Sequence, residues 1–132
     1  MAICDGHGLP LAVHVASASP AEVRLVDATL HDRFLAAFPK RLIGDRGYDS
    51  DPLDRHLLQT FGIELIARHR RTRKVPTQDG RALRRRRRRW KIERLFAWFH
   101  NYRRLVIRWE RHADNFLAML HLASALILLK HL

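Results

Sequence analysis

Hydrophobic residues near the start of the chain fall into short stretches, which glycine and proline separate from longer segments with helical spacing. Two of these stretches, residues 2–4 and 9–15, lie on either side of the turn Asp5-Gly6-His7-Gly8. A glycine-rich turn between two short apolar stretches is typical of paired antiparallel strands. The pattern therefore predicts a β-hairpin over these residues.

A first helix is predicted to start at Ser19-Pro20-Ala21-Glu22. This segment combines a hydroxyl cap, a proline whose fixed φ suits the first helical turn, and a glutamate three residues after the serine. The apolar residues that follow have helical spacing and predict one core-facing stripe, made of Val23, Val26, Leu30 and Phe34. Pro39 ends the pattern, so we expect the helix to end before it.

The next segment has a strand, helix, strand order. Residues 41–44 form a short apolar run that predicts a buried strand, and Asp45 lies just beyond its carboxyl end. The segment Ser50-Asp51-Pro52 starts a helix whose inward-facing residues are predicted to be Leu53, Leu57, Leu58 and Phe61. Gly62 ends that helix, and residues 63–67 predict another strand.

The C-terminal half is predicted to be helical after one basic loop. Residues 68–80 contain proline and glycine and lack an apolar period, which favours a loop. A helix is expected from Ala82 to about Tyr102, with a core-facing stripe of Ile92, Leu95, Phe96, Phe99 and Tyr102. A last, buried helix is expected over roughly residues 114–130. The predicted fold class is α/β.

Composition places the whole chain, residues 1–132, in one globular domain, because 47% of its residues are hydrophobic. Cys4 is the single cysteine, which excludes an intrachain disulfide and fits a reducing cytoplasm. The first residues lack the basic and apolar regions of a signal peptide. The most apolar stretch, residues 116–129, is shorter than the roughly 20 residues that span a bilayer. We therefore expect a cytoplasmic protein with no membrane partner.

Charge narrows the class of partner. The chain has 25 Lys and Arg against 13 Asp and Glu, a formal net charge of +12. The commonest partner of so strong a positive potential is nucleic acid, and an anionic membrane is second. The arginine run, residues 84–89, adds to a basic group formed by Arg68, His69, Arg70, Arg71, Arg73 and Lys74. This concentration predicts phosphate binding without base specificity.

The tryptophan and histidine residues give weaker evidence about function. Trp90, Trp98 and Trp109 are candidates for stacking on bases, but Trp98 lies near the apolar stripe and fits the core better. The nine histidines and single cysteine show none of the spacings of a zinc site.

Asp45 is the first candidate for chemistry. It lies in Gly44-Asp45-Arg46-Gly47-Tyr48-Asp49-Ser50, at the carboxyl end of a predicted strand, where open α/β sheets bind their ligands. This position makes Asp45 a candidate metal ligand. The alternative is that Asp45, Asp49 and Asp51 are turn and cap residues, which is how most loop aspartates are used.

Glu93 is the second candidate. It lies at the margin of the helical apolar stripe, on a strip shared with Arg86, Arg89 and His100. A carboxylate there could reach a site beside the sheet, while the arginines hold a phosphate chain against it. The alternative is an ordinary i to i+4 ion pair with Arg89.

Together these segments resemble the DDE transposases of bacterial insertion sequences, in the branch of the insertion sequence 4 and 5 groups. The resemblance covers nearly the whole chain and rests on four parts of the sequence, which are residues 5–11, 44–50, 89–98 with 102–104, and 115–129. It implies an RNase H-like fold that would be incomplete here, with Asp45 as the second acid of the catalytic triad and Glu93 as the third. It also implies Mg²⁺ or Mn²⁺ as the cofactor.

The chain departs from this family in two ways. The family signature has a tyrosine seven residues before the glutamate, an arginine four before and a lysine seven after, where this chain has Arg86, Arg89 and His100. The first aspartate of the triad belongs to a strand that would precede the hairpin, and Asp5, in the hairpin turn, is a poor substitute. The missing strand would lie in the middle of the RNase H-like sheet.

The resemblance implies a C-terminal transposase part that cuts and joins DNA at transposon ends once an upstream segment supplies the first aspartate. Such a chain would be inactive alone, either as the downstream frame of a programmed frameshift or as a decayed remnant. The partners implied are DNA, the upstream segment and further copies in a homo-oligomer, near the bacterial nucleoid.

The residues expected to contact DNA are Arg46, Arg84, Arg86, Arg89, Lys91, His100, Arg103 and Arg104. The alternative is a noncatalytic basic module that binds nucleic acid; an RNA-binding protein of another kind ranks lower because the sequence has no signature for it.

Overall fold

The structure is a computed structural model that describes residues 1–77 and 84–132, without the side chain of Arg86. The chain divides into two compact units. The first unit comprises residues 1–34 and 90–132, and the second comprises residues 35–89. Each unit contains a small sheet and helices, which confirms the α/β class at this level.

The first unit opens with the predicted hairpin. Strands β1 (Ala2–Cys4) and β2 (Pro10–Val13) pair antiparallel, and β2 is shorter than the predicted residues 9–15. The Asp5 carboxylate closes the turn by accepting hydrogen bonds from the backbone N–H groups of His7 (2.7 Å) and Leu9 (2.8 Å). Asp5 therefore has a local structural role, as expected for a residue at a turn.

Gly8 is required by both backbone and packing. Its φ of 85° lies in the left-handed region, and a Cβ atom there would lie 2.8 Å from Nη2 of Arg94. Arg94 also donates a hydrogen bond to the carbonyl oxygen of His7. The turn is thus built to receive a guanidinium group.

The first helix is later and shorter than predicted. A 3₁₀ turn at Glu22–Leu25 precedes α1 (Val26–His31), and neither has a side-chain cap, so the predicted start at Ser19 is wrong. The helix ends early because the chain leaves it to join the hairpin: the Phe34 N–H donates to the Leu11 carbonyl at 2.8 Å. Val26 and Leu30 are buried as predicted, but Phe34 lies beyond the helix and is exposed.

Three helices complete the first unit, namely α3 (Trp90–Phe99), α4 (Arg103–Val106) and α5 (Ala113–Leu129). The predicted continuous helix to Tyr102 is wrong, because a turn at residues 100–102 separates α3 from α4. The core cluster consists of Val13, Leu95, Phe99, Ala123 and Ile127. Ile92, Trp98 and Tyr102 pack against it, which confirms the expectation for Trp98.

Two expectations about these helices need correction. Phe96 was expected in the core stripe but is exposed, because the buried line of α3 runs through Leu95 and Phe99. The last helix has almost the predicted bounds but is not fully buried. It packs through one face, around Ala123 and Ile127, and leaves Leu122, Leu126 and Leu129 exposed.

The second unit is a strand, helix, strand segment. Strands β3 (Arg41–Ile43) and β4 (Glu64–Ile66) pair parallel, and helix α2 (Asp51–Phe61) connects them, close to the predicted bounds. Gly62 ends α2 in the left-handed conformation, with φ of 68°. Leu53 and Leu57 are buried as predicted, whereas Leu58 is 60% exposed because it lies on the outer face of α2.

The arginine run differs from its predicted α-helical form. Arg85–Arg89 form a 3₁₀ helix immediately before α3, and Ala82 lies outside the described residues. The positive end of the helix dipole is at the N-terminus, so consecutive guanidinium groups there disfavour a regular α-helical start. The basic segment over residues 68–77 contains neither helix nor strand, in agreement with the predicted loop.

No helix within residues 1–77 and 84–132 is long and apolar enough to cross a membrane.

Candidate functional site

Asp45 lies at the end of β3, where it starts a 3₁₀ turn over Arg46–Tyr48. Its Oδ1 atom accepts a hydrogen bond of 2.7 Å from the Gly47 backbone N–H. The side chain is 46% exposed, and its second oxygen, Oδ2, accepts none of the hydrogen bonds that hold the turn. Asp45 is therefore a turn residue, as the alternative interpretation proposed, and still presents a carboxylate oxygen.

Steric contacts explain the glycines around Asp45. A Cβ atom on Gly47 would lie 2.9 Å from Oδ1 of Asp45, which is closer than real Cβ contacts. A Cβ atom on Gly44 would lie 3.0 Å from the Cβ atom of Tyr48. The spacing of glycine, aspartate and tyrosine in this segment thus follows from the tight packing of the turn.

One residue of the arginine run, Arg89, lies beside the Asp45 carboxylate. Its Nη1 atom lies 3.9 Å from Oδ2 of Asp45, and both side chains are partly exposed. A pair with this separation and exposure contributes little to stability. It does place one residue of the arginine run beside the candidate metal ligand.

Asp49 anchors the basic loop to this turn. Its buried carboxylate accepts hydrogen bonds from the Arg70 backbone N–H (2.7 Å) and from Nη1 of Arg73 (2.7 Å). Nδ1 of His69 lies 2.9 Å from the same group. Burial raises the pKa of Asp49, but the Arg70 hydrogen bond, with His69 and Arg73, outweighs it and leaves that pKa below its ordinary value.

The loop arginines have structural roles that the sequence analysis missed. Arg70 donates to the carbonyl oxygens of Gly47 (3.1 Å) and Arg46 (3.4 Å), so it holds the turn that contains Asp45. Arg73 also donates to the Asp51 carboxylate. The sequence predicts phosphate binding for these charges, whereas in the structure they bind groups of the chain itself. The sequence signal for this role is Asp49, an aspartate that precedes a basic loop.

The surroundings of Asp54 disfavour the ionised form of its carboxyl group. Burial, followed by the charges of Asp51 and Asp49, raises the pKa of Asp54. Its Oδ1 atom is buried without a hydrogen-bond partner in the described structure. Asp54 is therefore a source of instability at neutral pH.

Glu93 lies in the first turn of α3 and is exposed. It belongs to the first unit, whereas Asp45 belongs to the second. The convergence of their carboxylates remains a prediction, as does the ion pair of Glu93 with Arg89. Among the described residues, no three His, Cys, Asp or Glu side chains group closely enough to hold a metal ion.

The basic residues expected to contact DNA are mostly accessible. The exposed ones are Arg46, Arg84, Arg89, His100, Arg103 and Arg104, whereas Lys91 is half-buried and the side chain of Arg86 lies outside the described structure. Arg104 pairs with Glu110 at 3.0 Å, which partly neutralises its charge.

Arg94 forms an aromatic contact that the sequence analysis did not foresee. Its guanidinium carbon lies 4.8 Å from the Trp90 ring centre and 4.9 Å from the Trp98 ring centre. Contacts of this kind stabilise a cation between aromatic faces. Arg94 therefore links α3 to the hairpin turn, where it binds the carbonyl of His7.

Comparisons with known proteins agree with the resemblance seen in the sequence. The family model described as Transposase DDE domain matches residues 1–128. A Burkholderia cepacia protein, named as a transposase for insertion sequence element IS402, is 38% identical over 133 residues. That alignment covers 95% of this chain and 59% of the relative, so the chain spans less than two thirds of the relative's length. No solved structure shows a significant match. The chain therefore belongs to the DDE transposase family.

Proposed function

We propose that the chain acts in DNA transposition as the C-terminal part of an RNase H-like transposase domain, which cuts transposon ends and joins them to target DNA. The observation that carries the proposal is the Asp45 turn. It follows a parallel strand and holds an aspartate whose side chain is 46% exposed. Ligand sites in α/β sheets occupy this position, and membership in the transposase family supports the same assignment.

Asp45 meets the chemical requirement for a magnesium or manganese ligand. Its Oδ2 atom is a hard oxygen donor whose contact with Arg89 is long, at 3.9 Å. Glu93 would be the second ligand, because its carboxylate is exposed and lies in the segment that resembles the family signature. When bound, divalent ions would stabilise the charge that develops at the scissile phosphate.

The proposal includes a third carboxylate from an upstream segment. Asp5 does not replace it, because its Oδ1 atom already accepts hydrogen bonds from the backbone of His7 and Leu9. Two acids shared between two ions would hold them poorly, so this chain alone would be inactive.

DNA contacts would come from exposed basic side chains of both units. The exposed guanidinium groups of Arg46, Arg89 and Arg103 are suited to the phosphate backbone. The partners proposed are transposon ends, target DNA, the upstream segment and further copies of the chain, in the bacterial cytoplasm near the nucleoid.

The test is a cleavage assay on DNA that contains the element's ends, with Mg²⁺ or Mn²⁺ and the upstream coding segment joined to this chain. We expect Asp45→Asn and Glu93→Gln each to remove the cleaved product. Asn at position 45 keeps an oxygen for the Gly47 N–H, so the turn is retained while the charge is lost. Circular dichroism would confirm that the variants remain folded.

Glu64→Gln is the matched control, because Glu64 is another partly exposed acid next to a basic residue, Arg41, at 2.7 Å. This variant should cut as well as the unchanged protein. If Asp45→Asn and Glu93→Gln also cut normally, the assignment of these two residues as catalytic is wrong. If the unchanged joined protein binds this DNA without cutting it, the noncatalytic DNA-binding alternative is correct.

A further inference from the structure

The turn that carries Asp45 is held only loosely by its own backbone. Within it, the Tyr48 N–H donates to the Asp45 carbonyl and the Asp49 N–H donates to the Arg46 carbonyl, each at 3.3 Å. Backbone hydrogen bonds in proteins are commonly about 2.9–3.0 Å long. Gly47, in the middle of the turn, adds conformational freedom. A side chain that binds this turn from outside therefore has a strong influence on the orientation of Asp45.

Arg70 provides such a contact from the basic loop, residues 68–77. Its Nη2 atom donates to the Gly47 carbonyl at 3.1 Å, and its Nε atom donates to the Arg46 carbonyl at 3.4 Å. Both atoms belong to one planar guanidinium group, so a single rigid fork spans two consecutive carbonyls. The Gly47 N–H in turn donates to Oδ1 of Asp45 at 2.7 Å. Gly47 thus joins Arg70 to the Asp45 carboxylate.

The basic loop also holds Arg70 in place. The Arg70 backbone N–H and Nη1 of Arg73 each donate to the Asp49 carboxylate at 2.7 Å, and this side chain is only 2% exposed. The His69 ring adds a further link. Its Nε2 atom accepts from the Thr77 N–H at 3.0 Å, so the proton of the neutral ring lies on Nδ1, which donates to Asp49 at 2.9 Å. The backbone from which Arg70 reaches the turn is therefore fixed within the second unit.

We propose that Arg70 is a positioning residue, whose guanidinium group fixes the Gly47 peptide and thereby holds the Asp45 carboxylate in the orientation that binds a divalent ion. The metal-binding part of this role rests on the proposed function of Asp45. Arg70 would act through Asp45 and not by contact with the metal. Because Arg70 is exposed, loss of its two hydrogen bonds should cost the unit little stability, so an effect on the turn is separable from unfolding.

Amide hydrogen exchange, measured by NMR on the 132-residue chain without metal or DNA, tests the positioning directly. Arg70→Lys keeps the charge but loses the fork that spans two carbonyls. The Gly47 amide should exchange about fivefold faster, because the turn opens more easily. The Gly44 amide donates to the Ile66 carbonyl at 2.9 Å, next to the pairing of β3 with β4, and should keep its rate within about twofold.

The metal requirement tests the consequence in the protein joined to its upstream segment. Arg70→Lys should raise the Mg²⁺ concentration for half-maximal cleavage about tenfold, and saturating Mg²⁺ should restore most of the rate. A merely structural role would lower the rate at every Mg²⁺ concentration without this shift. Arg55→Lys is the matched control, because Nε of Arg55 also donates to a backbone carbonyl, that of Asp51 on α2, at 3.4 Å. This variant should change neither amide exchange nor the Mg²⁺ requirement.

The outcomes separate this role of Arg70 from its alternatives. An unchanged Gly47 rate in Arg70→Lys, or equal acceleration at Gly44 and Gly47, would overturn the proposal. Weaker DNA binding with an unchanged Mg²⁺ requirement would also overturn it and make Arg70 a phosphate contact. An Asp45→Asn variant that cuts normally would instead show that the proposed function is wrong, and the Gly47 exchange rate would still decide whether Arg70 holds the turn.

Discussion

At the scale of single residues, the acids of the second unit have different tasks, which their surroundings set. Asp45 caps a turn and is 46% exposed, whereas Asp49 is buried and engaged by the basic loop. The sequence singled out Asp45 because it follows a predicted strand. It did not identify the network of Asp49, because contacts with His69, Arg70 and Arg73 depend on how a distant loop folds back.

Replacing Asp49 tests this network. Asp49→Asn should lower the free energy of unfolding by about 3 kcal/mol at pH 7, because it leaves buried hydrogen-bond and charge partners uncompensated. Asp51→Asn is the control within the same cluster and should cost less than about 1 kcal/mol, because Asp51 is exposed. Urea denaturation measures both values.

The stability that Asp49 contributes depends on pH, and the direction of this dependence follows from its pKa. The pKa of Asp49 in the folded state lies below its ordinary value of 3.8. Its stabilising effect is therefore complete above pH 3.8 and is lost as the pH falls through the lowered pKa. The difference between the unchanged protein and Asp49→Asn should shrink at strongly acidic pH, and a constant difference would show that charge is not the cause.

At the scale of elements, periodicity predicted which segments form helices and strands better than where they end. The hairpin, β3, α2, β4 and α5 lie close to their predicted positions. The first helix was predicted too long because a backbone hydrogen bond from Phe34 to Leu11 takes the chain away from it. The arginine run forms a 3₁₀ helix instead of the predicted α-helix, because hydrophobic spacing takes no account of repulsion among guanidinium groups.

Helix α3 provides the sharpest test at this scale. Leu95→Ala should lower the free energy of unfolding by about 2–5 kcal/mol, because Leu95 is completely buried in the core of the first unit. Phe96→Ala is the adjacent control and should cost markedly less, because Phe96 is exposed. Equal losses at the two positions, measured by urea denaturation, would contradict the observed orientation of α3.

At the scale of the whole molecule, the net positive charge is the property that most strongly predicts the binding partner. A formal charge of +12 on 132 residues predicts DNA binding that weakens steeply with salt. Several arginines already contact other groups of the chain, however. Arg70 and Arg73 hold the second unit together, and Arg94 packs between two tryptophans. The number of arginines that bind phosphate is therefore smaller than the composition suggests.

This distinction is measurable through the salt dependence of DNA affinity. Replacing the exposed Arg103 with glutamine should reduce the slope of log K against log salt by about one, because one phosphate contact is lost. Arg41→Gln is the control, because Arg41 pairs with Glu64 at 2.7 Å and should leave the slope unchanged. Equal slopes for Arg103→Gln and the unchanged protein would remove Arg103 from the DNA-binding surface.

The central claim is that Asp45 and Glu93 bind the same divalent ions. The most direct measurement replaces Mg²⁺ with Fe²⁺ in the protein joined to its upstream segment. Hydrogen peroxide and ascorbate then generate hydroxyl radicals at the bound iron, and the positions where the polypeptide is cut are mapped. We predict cuts near both residues, and we predict that Asp45→Asn removes the cut near Glu93 as well as its own. Cuts near one residue alone, or a cut near Glu93 that persists in Asp45→Asn, would contradict a shared metal site.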